Sequence, residues 1–253
     1  METLKKSKKQ RSIINTKWYN KNKIILPLIS GFQLYDIRNS NSKVYNLVDD
    51  ENNNIFDGVG NFDYDPNNNN IVFSGYEINS SDWSACELFI FDLNSGRIKK
   101  LVDDEYFDIL FTFFNKWGNK VFFLQESHYS KYYYQLNMYD LETSSFSNIS
   151  ERVKITRVDK NQDLAYGTKL EVYPEKDFFE QTEYKDIILD MENNALKYYD
   201  AYNNPVIYID GYKVPVNKGY LDKEDVFILL SPNRKKALYA KADQFIKLIF
   251  LSD

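Results

Sequence analysis

The chain has 253 residues, with 32 Lys and Arg against 37 Asp and Glu, and a formal net charge of −5. That balance argues against a nucleic-acid footprint, which needs a basic face to meet phosphate, and favours a basic partner. One cysteine, Cys86, and one histidine, His128, exclude an intrachain disulfide, a cysteine-based zinc cluster and any two-histidine metal site.

The chain opens on a basic stretch, Lys5, Lys6, Lys8, Lys9 and Arg11, followed by polar residues and not by the apolar run of a secretory leader. Residues 1–12 are read as a solvated tail and 13–253 as one domain of a cytoplasmic protein. Ile24 to Ile29 is too short to span a membrane.

From there a unit recurs. Phe32-Gln33-Leu34-Tyr35-Asp36-Ile37 leads to Lys43–Leu47, and Leu88-Phe89-Ile90-Phe91-Asp92-Leu93 leads to Arg97–Leu101. Gln135–Leu141 leads to Phe146–Ile149, and Asp186–Met191 to Ala195–Lys197, so Asp36, Asp92, Asp140 and Asp190 recur every 48 to 56 residues. Such a period suits one four-stranded propeller blade per copy.

Each unit has a second half, a polar turn before a short apolar strand. The turns are Tyr19–Lys23, Asp65–Asn70, Asn115–Lys120, Asp159–Asp163 and Ser231–Lys236. Asn, Asp, Gly and Pro supply the backbone angles a tight hairpin needs, and five copies are counted. Leu88–Phe91 and Val121–Leu124 are apolar at every position, so both faces of their sheets must be covered. Blades stacked side by side do this.

These two halves, Ser231-Pro232-Asn233-Arg234-Lys235-Lys236-Ala237-Leu238-Tyr239 and Leu88–Gly96, resemble the TolB-type propeller repeat. In that family the turn usually reads Ser-Pro-Asp-Gly-Lys-Lys; here Ser-Pro is kept once, Asp-Pro stands at Asp65-Pro66, and Asn or Lys replaces the rest. The resemblance covers most of the chain from Ile13 and speaks to fold, not function.

The expected architecture is an all-β propeller of five antiparallel four-stranded blades, or six if the stretch between Tyr198 and Tyr220 forms its own. Labelled A to D outward from the axis, the innermost strands fall near Ile13–Trp18, Asn61–Tyr64, Leu110–Phe114, Lys154–Val158 and Val226–Leu230. Phe245–Leu251 is the last C strand, and either that blade is short or the segment before Ile13 completes it. Val206–Val214 reads as a hairpin on Asp210-Gly211. The pairs Asp49-Asp50 and Asp103-Asp104 follow D strands and are read as repeat turns.

No catalytic constellation stands out. His128 lacks a Gly-x-Ser-x-Gly companion, and no calcium or phosphate loop is present, so no metal, cofactor or catalytic residue is assigned. Some five-bladed propellers are glycosidases, which need paired carboxylates; Asp63, Asp108 and Asp159 are the candidates, two of them flanking turns where aspartate is expected anyway.

All B-to-C connections of a propeller leave on one face. Three are long: Gly75–Ser84, Gln125–Tyr134 and Gly167–Lys185. They predict a rim of aromatic and acidic residues in which Asp82, Trp83, His128, Tyr129, Tyr132, Tyr133, Glu175, Asp177, Phe178 and Glu180 contact a partner. The expectation is a non-catalytic, protein-binding propeller, such as an immunity or antitoxin protein neutralising a basic toxin. The alternatives are a glycan-binding or glycoside-hydrolase-like propeller and a scaffold subunit.

Overall fold

The computed structural model describes residues 16–49, 51–78, 86–102, 107–127, 134–172 and 182–198, together with strand backbone in segments nearer the two ends. β1 is Thr3–Leu4. Four antiparallel sheets of four strands then follow in strict order. The first blade holds β2 (Lys17–Asn20), β3 (Lys23–Leu28), β4 (Gly31–Asp36) and β5 (Ser42–Asn46), and the second β6 (Phe56–Asp65), β7 (Asn70–Glu77), β8 (Glu87–Asp92) and β9 (Ile98–Val102). The third holds β10 (Phe107–Phe114), β11 (Lys120–Ser127), β12 (Tyr134–Asp140) and β13 (Ser145–Glu151). The fourth holds β14 (Val153–Asp159), β15 (Leu164–Val172), β16 (Thr182–Asp190) and β17 (Ala195–Tyr198). These are the blades of a β-propeller.

The surplus stretch gives a separate two-stranded ladder, β18 (Val206–Ile209) with β19 (Tyr212–Pro215), while Asp210 and Gly211 lie outside the described residues. The fifth copy of the repeat forms a sheet of β20 (Tyr220–Leu221), β21 (Val226–Leu230), β22 (Lys236–Lys241) and β23 (Phe245–Phe250), in the order β1-β23-β22-β21-β20. Thr3 pairs with Lys247 and Leu4 with Ile246. Two residues just ahead of the basic stretch therefore supply the outermost strand of the sheet that the last strands build.

Continuous apolar strands demand cover on both faces, and the blades provide it by alternation. Ile71 and Phe73 of β7 pack toward the first blade with Ile25, Phe32 and Leu47. Val72, between them, turns the other way to meet Phe114, Val121 and Phe123 of the third blade. In β11 the same switch sends Val121 and Phe123 to the second blade and Phe122 and Leu124 to Ile155, Ala165 and Ile187 of the fourth. Each fully buried Phe contributes about 1.5–3 kcal/mol of hydrophobic stabilisation. The rings interlock edge-on as well as stacked: Phe56 meets Phe73 at 5.2 Å and Phe89 at 4.7 Å.

The recurring aspartate ends strand C because a short carboxylate can cap the turn that follows. Asp36 accepts the N–H of Arg38, Asp92 that of Asn94, Asp140 those of Glu142 and Thr143, and Asp190 that of Asn193. The residue after each aspartate donates its own N–H to the A–B turn of the same blade: Ile37 to Asn22, Leu93 to Asn69, Leu141 to Asn119 and Met191 to Asp163, at 2.8–3.0 Å. Four residues beyond each aspartate the chain turns left-handed, at Ser40, Gly96, Ser144 and Asn194, with φ of 58°, 74°, 53° and 54°.

The innermost strands carry a second repeated feature. β2, β6, β10 and β14 each slip register against their B strands, between Trp18 and Asn20, Val59 and Phe62, Ile109 and Phe111, and Ile155 and Arg157. An extra residue there bends the strand. The first innermost strand begins at Lys17 and runs through Asn20, so the turn the sequence suggested over Tyr19–Lys23 is narrower.

Candidate functional site

All four innermost strands run the same way. Asn61 Oδ1 accepts the N–H of Thr112 and Asp63 Oδ2 that of Phe114, so β6 lies parallel to β10. Tyr19 of β2 stacks on Tyr64 of β6 at 4.6 Å, and both hydroxyls donate to Asn69 Oδ1. The A–B turns of the second, third and fourth blades also touch: Asn67 Nδ2 donates to Lys116 O, and Lys116 N–H to Asp163 Oδ1. One end of the molecule therefore gathers A–B and C–D turns, and the other gathers B–C and D–A connections.

The turn-bearing end is locked by charge. Lys160 Nζ sits 2.6 Å from Asp63 Oδ2 and donates to Tyr64 O at 2.5 Å. Lys17 holds its ammonium 5.9 Å from the Phe111 ring centroid. Burial pushes the pKa of Lys17 down; the charge of Asp63 opposes the fall and that of Lys160 adds to it. Arg157 pairs with Asp159 at 3.2 Å, and Asp159 accepts the N–H of Asn161. Asp108 accepts the N–H of Cys86 at 3.0 Å. The three carboxylates weighed as glycosidase candidates thus each hold backbone or a cation in place. Cys86 is buried, its thiol pushed up to about 11 by desolvation.

At the opposite end, every predicted contact residue falls outside the described residues: Asp82, Trp83, His128, Tyr129, Tyr132, Tyr133, Glu175, Asp177, Phe178 and Glu180. The strands around them do fix where the chain leaves and returns. Gly75 pairs with Glu87, Glu126 with Tyr134 and Val172 with Thr182, so all three segments start and finish at this end.

The described residues there include carboxylates and exposed apolar side chains, with cations mostly on the fourth blade, at Arg152, Lys154, Lys169 and Lys185. Asp49, Glu51, Glu77, Glu87, Glu126 and Glu151 stand at strand ends or in connections of this end, where Tyr76 and Ile78 are 38% and 46% exposed. Lys100 bridges two of the carboxylates, 2.8 Å from buried Glu87 and 3.2 Å from Glu77.

An open depression lies between the first and second blades, lined by Asp49, Asn52, Asn53, Asn54, Ile55, Glu77 and Ile78. Asp49 shapes one wall, accepting the N–H of Asn53 at 2.8 Å and of Glu51 at 2.9 Å, and these bonds hold its carboxyl below the usual range. Sequence reasoning took the Asp49-Asp50 pair as a turn. It is one, and the depression beside it is closed by Ile78 N–H reaching Ile55 O at 2.9 Å, which carries the β6–β7 ladder one rung further within the second blade.

No family model and no curated protein matches the chain. Solved structures do. TolB from Acinetobacter baumannii is 14% identical with a TM-score of 0.50 over 90% of this chain and 49% of that one, so the chain spans about half its length. A nidogen/laminin complex (6% identity, TM-score 0.48, 96% and 78% covered) and the propeller domain of the trilobed protease from Pyrococcus furiosus (10%, 0.44, 90% and 67%) are also similar. The chain is a β-propeller, and its blades have the TolB-like fold.

Proposed function

We propose that this chain is a non-catalytic propeller of the degenerate TolB-type repeat class that binds a basic protein on its B–C face. The observation that carries the reading is the placement of Asp49 and Glu77 beside Ile78, with Ile78 and neighbouring Tyr76 46% and 38% exposed at that end. Apolar anchors beside carboxylates favour and steer a cationic partner. The predicted contact residues from Asp82 to Glu180 belong to the segments that leave from the same end. An immunity-type role, neutralising a basic toxin, fits this chemistry. The test mixes the chain with small basic nuclease-like proteins and measures association rates at increasing salt. A complex whose on-rate falls steeply with salt supports the reading, because exposed charges are screened within about 8–10 Å at 0.10–0.15 M. An on-rate indifferent to salt rejects it.

A further inference from the structure

We infer that the depression between the first and second blades is a seat for an arginine side chain of the partner. This rests on the reading that the B–C face holds a basic protein. Its walls offer two kinds of surface. Ile55 and exposed Ile78 line it with aliphatic carbon, suited to the methylene stem of a long cationic side chain. Asp49, Glu77 and the side-chain amides of Asn52, Asn53 and Asn54 supply oxygen acceptors beside them.

The acceptors keep capacity. A carboxylate offers about four lone-pair sites; those of Asp49 take two backbone N–H groups and the Asn53 amide, and Glu77 takes Lys100 through one oxygen. Lys100 also meets Glu87, so the trio keeps a net negative charge. No cationic residue stands among the described lining residues. Several acceptors spread around the seat suit a planar guanidinium with five N–H donors better than a compact ammonium.

The seat is built before any ligand arrives. Val48 bridges to Asn54, Ile55 N–H donates to Leu47 O, and Asn52 is fixed in the left-handed region at φ 64°. A wall already held by backbone bonds avoids the ordering cost that weakens association.

The experiment measures fluorescence anisotropy of a labelled, capped peptide of nine arginines against the full chain, beside peptides of nine lysines and nine citrullines. The wild type is expected to bind the arginine peptide, to bind the lysine peptide several-fold more weakly and to leave the citrulline peptide free. Glu77→Gln and Ile78→Ser should each weaken the arginine peptide by about tenfold, and Glu142→Gln at the opposite end should change nothing. Both seat residues are solvent-exposed in part, and unchanged urea midpoints will show that the variants fold. A double variant, Glu126→Gln with Glu151→Gln, reports on the wider face. If it weakens binding while the two seat variants do not, the seat is wrong and the acidic-face reading stands. If no variant at that end alters binding, or the wild type ignores the arginine peptide, both fall.

Discussion

Lys160 and Asp63 meet at 2.6 Å although they belong to the fourth and second blades, so one ion pair ties together innermost elements with a whole blade between them in sequence. Asp63 also accepts the N–H of Phe114 in that intervening blade. Removing the carboxylate takes the ion-pair partner from Lys160, which keeps Tyr64 O, and orphans a buried N–H. Asp63→Ala is therefore expected to cost about 2–4 kcal/mol in urea unfolding. Asp63→Asn, which can still accept from Phe114, should cost less. Equal costs would show that the hydrogen bond contributes nothing.

Lys17 beside this pair predicts a gain. Its pKa is lowered from 10.5 in the folded chain, so the unfolded chain holds the proton more tightly and stability rises with pH across the window below 10.5. Lys17→Met removes that penalty. The variant should be more stable at pH 7 by about 1 kcal/mol, and its advantage should shrink as the pH approaches 10. A loss of stability at pH 7 would mean that the Asp63 attraction outweighs desolvation.

The left-handed positions of the turns predict opposite effects according to the residue that fills them. Gly96 has φ 74° with open space around it, so Gly96→Ala should cost about 1 kcal/mol from backbone strain alone. Gly118, with φ 72°, faces the Asp65 carboxylate, which an added methyl group would strike; Gly118→Ala should cost about 2–3 kcal/mol. Ser144→Gly relieves the same strain and should stabilise by about 0.5 kcal/mol. Urea midpoints of the three variants give the comparison.

The turn-capping carboxylates set the acid limb. Asp92 is held low chiefly by the Ser95 hydroxyl, Asp140 by the N–H of Thr143 and Asp190 by the Asn193 amide. A depressed carboxyl gives stability above its unfolded value of 3.8 that is lost as pH falls through the folded value. Replacing all three by Asn should flatten the decline of the unfolding midpoint below pH 4 while leaving the fold unchanged. An unaltered acid limb would assign acid unfolding to other groups.

Cys86 should be silent in the folded chain. With its thiol pushed up to about 11 and buried, it should react with a disulfide reagent at pH 8 only as fast as the chain opens, and at once in urea. Fast reaction of the native protein would contradict the packing.

Much of the architecture was legible because capping needs short polar side chains at fixed places. Asp36, Asp92, Asp140 and Asp190 announced the C strands, and the all-apolar Leu88–Phe91 announced sheets covered on both sides. The equivalent left-handed residues were visible only at Gly96, since Ser40, Ser144 and Asn194 meet the same demand without glycine. The register slips left no trace, because an inserted Leu110 or Thr156 reads as ordinary strand. Blade 3 also hides a polar chain, Gln125 to Asn137 to Asn148, inside strands that composition marks as apolar. The depression was illegible for another reason: its walls, Asp49 to Ile55 and Glu77 to Ile78, lie far apart in sequence and meet only once β6 has paired with β7.

The N–H that each C strand's following residue gives to its own A–B turn has an evolutionary corollary. Lengthening either corner of such a coupled pair strains the other, so length change is penalised at that pole of the molecule. The connections of the far pole vary most in length, from the turn between Leu28 and Gly31 to the segment between Val172 and Thr182, which makes that pole the natural place to graft a foreign peptide or exchange one specificity for another.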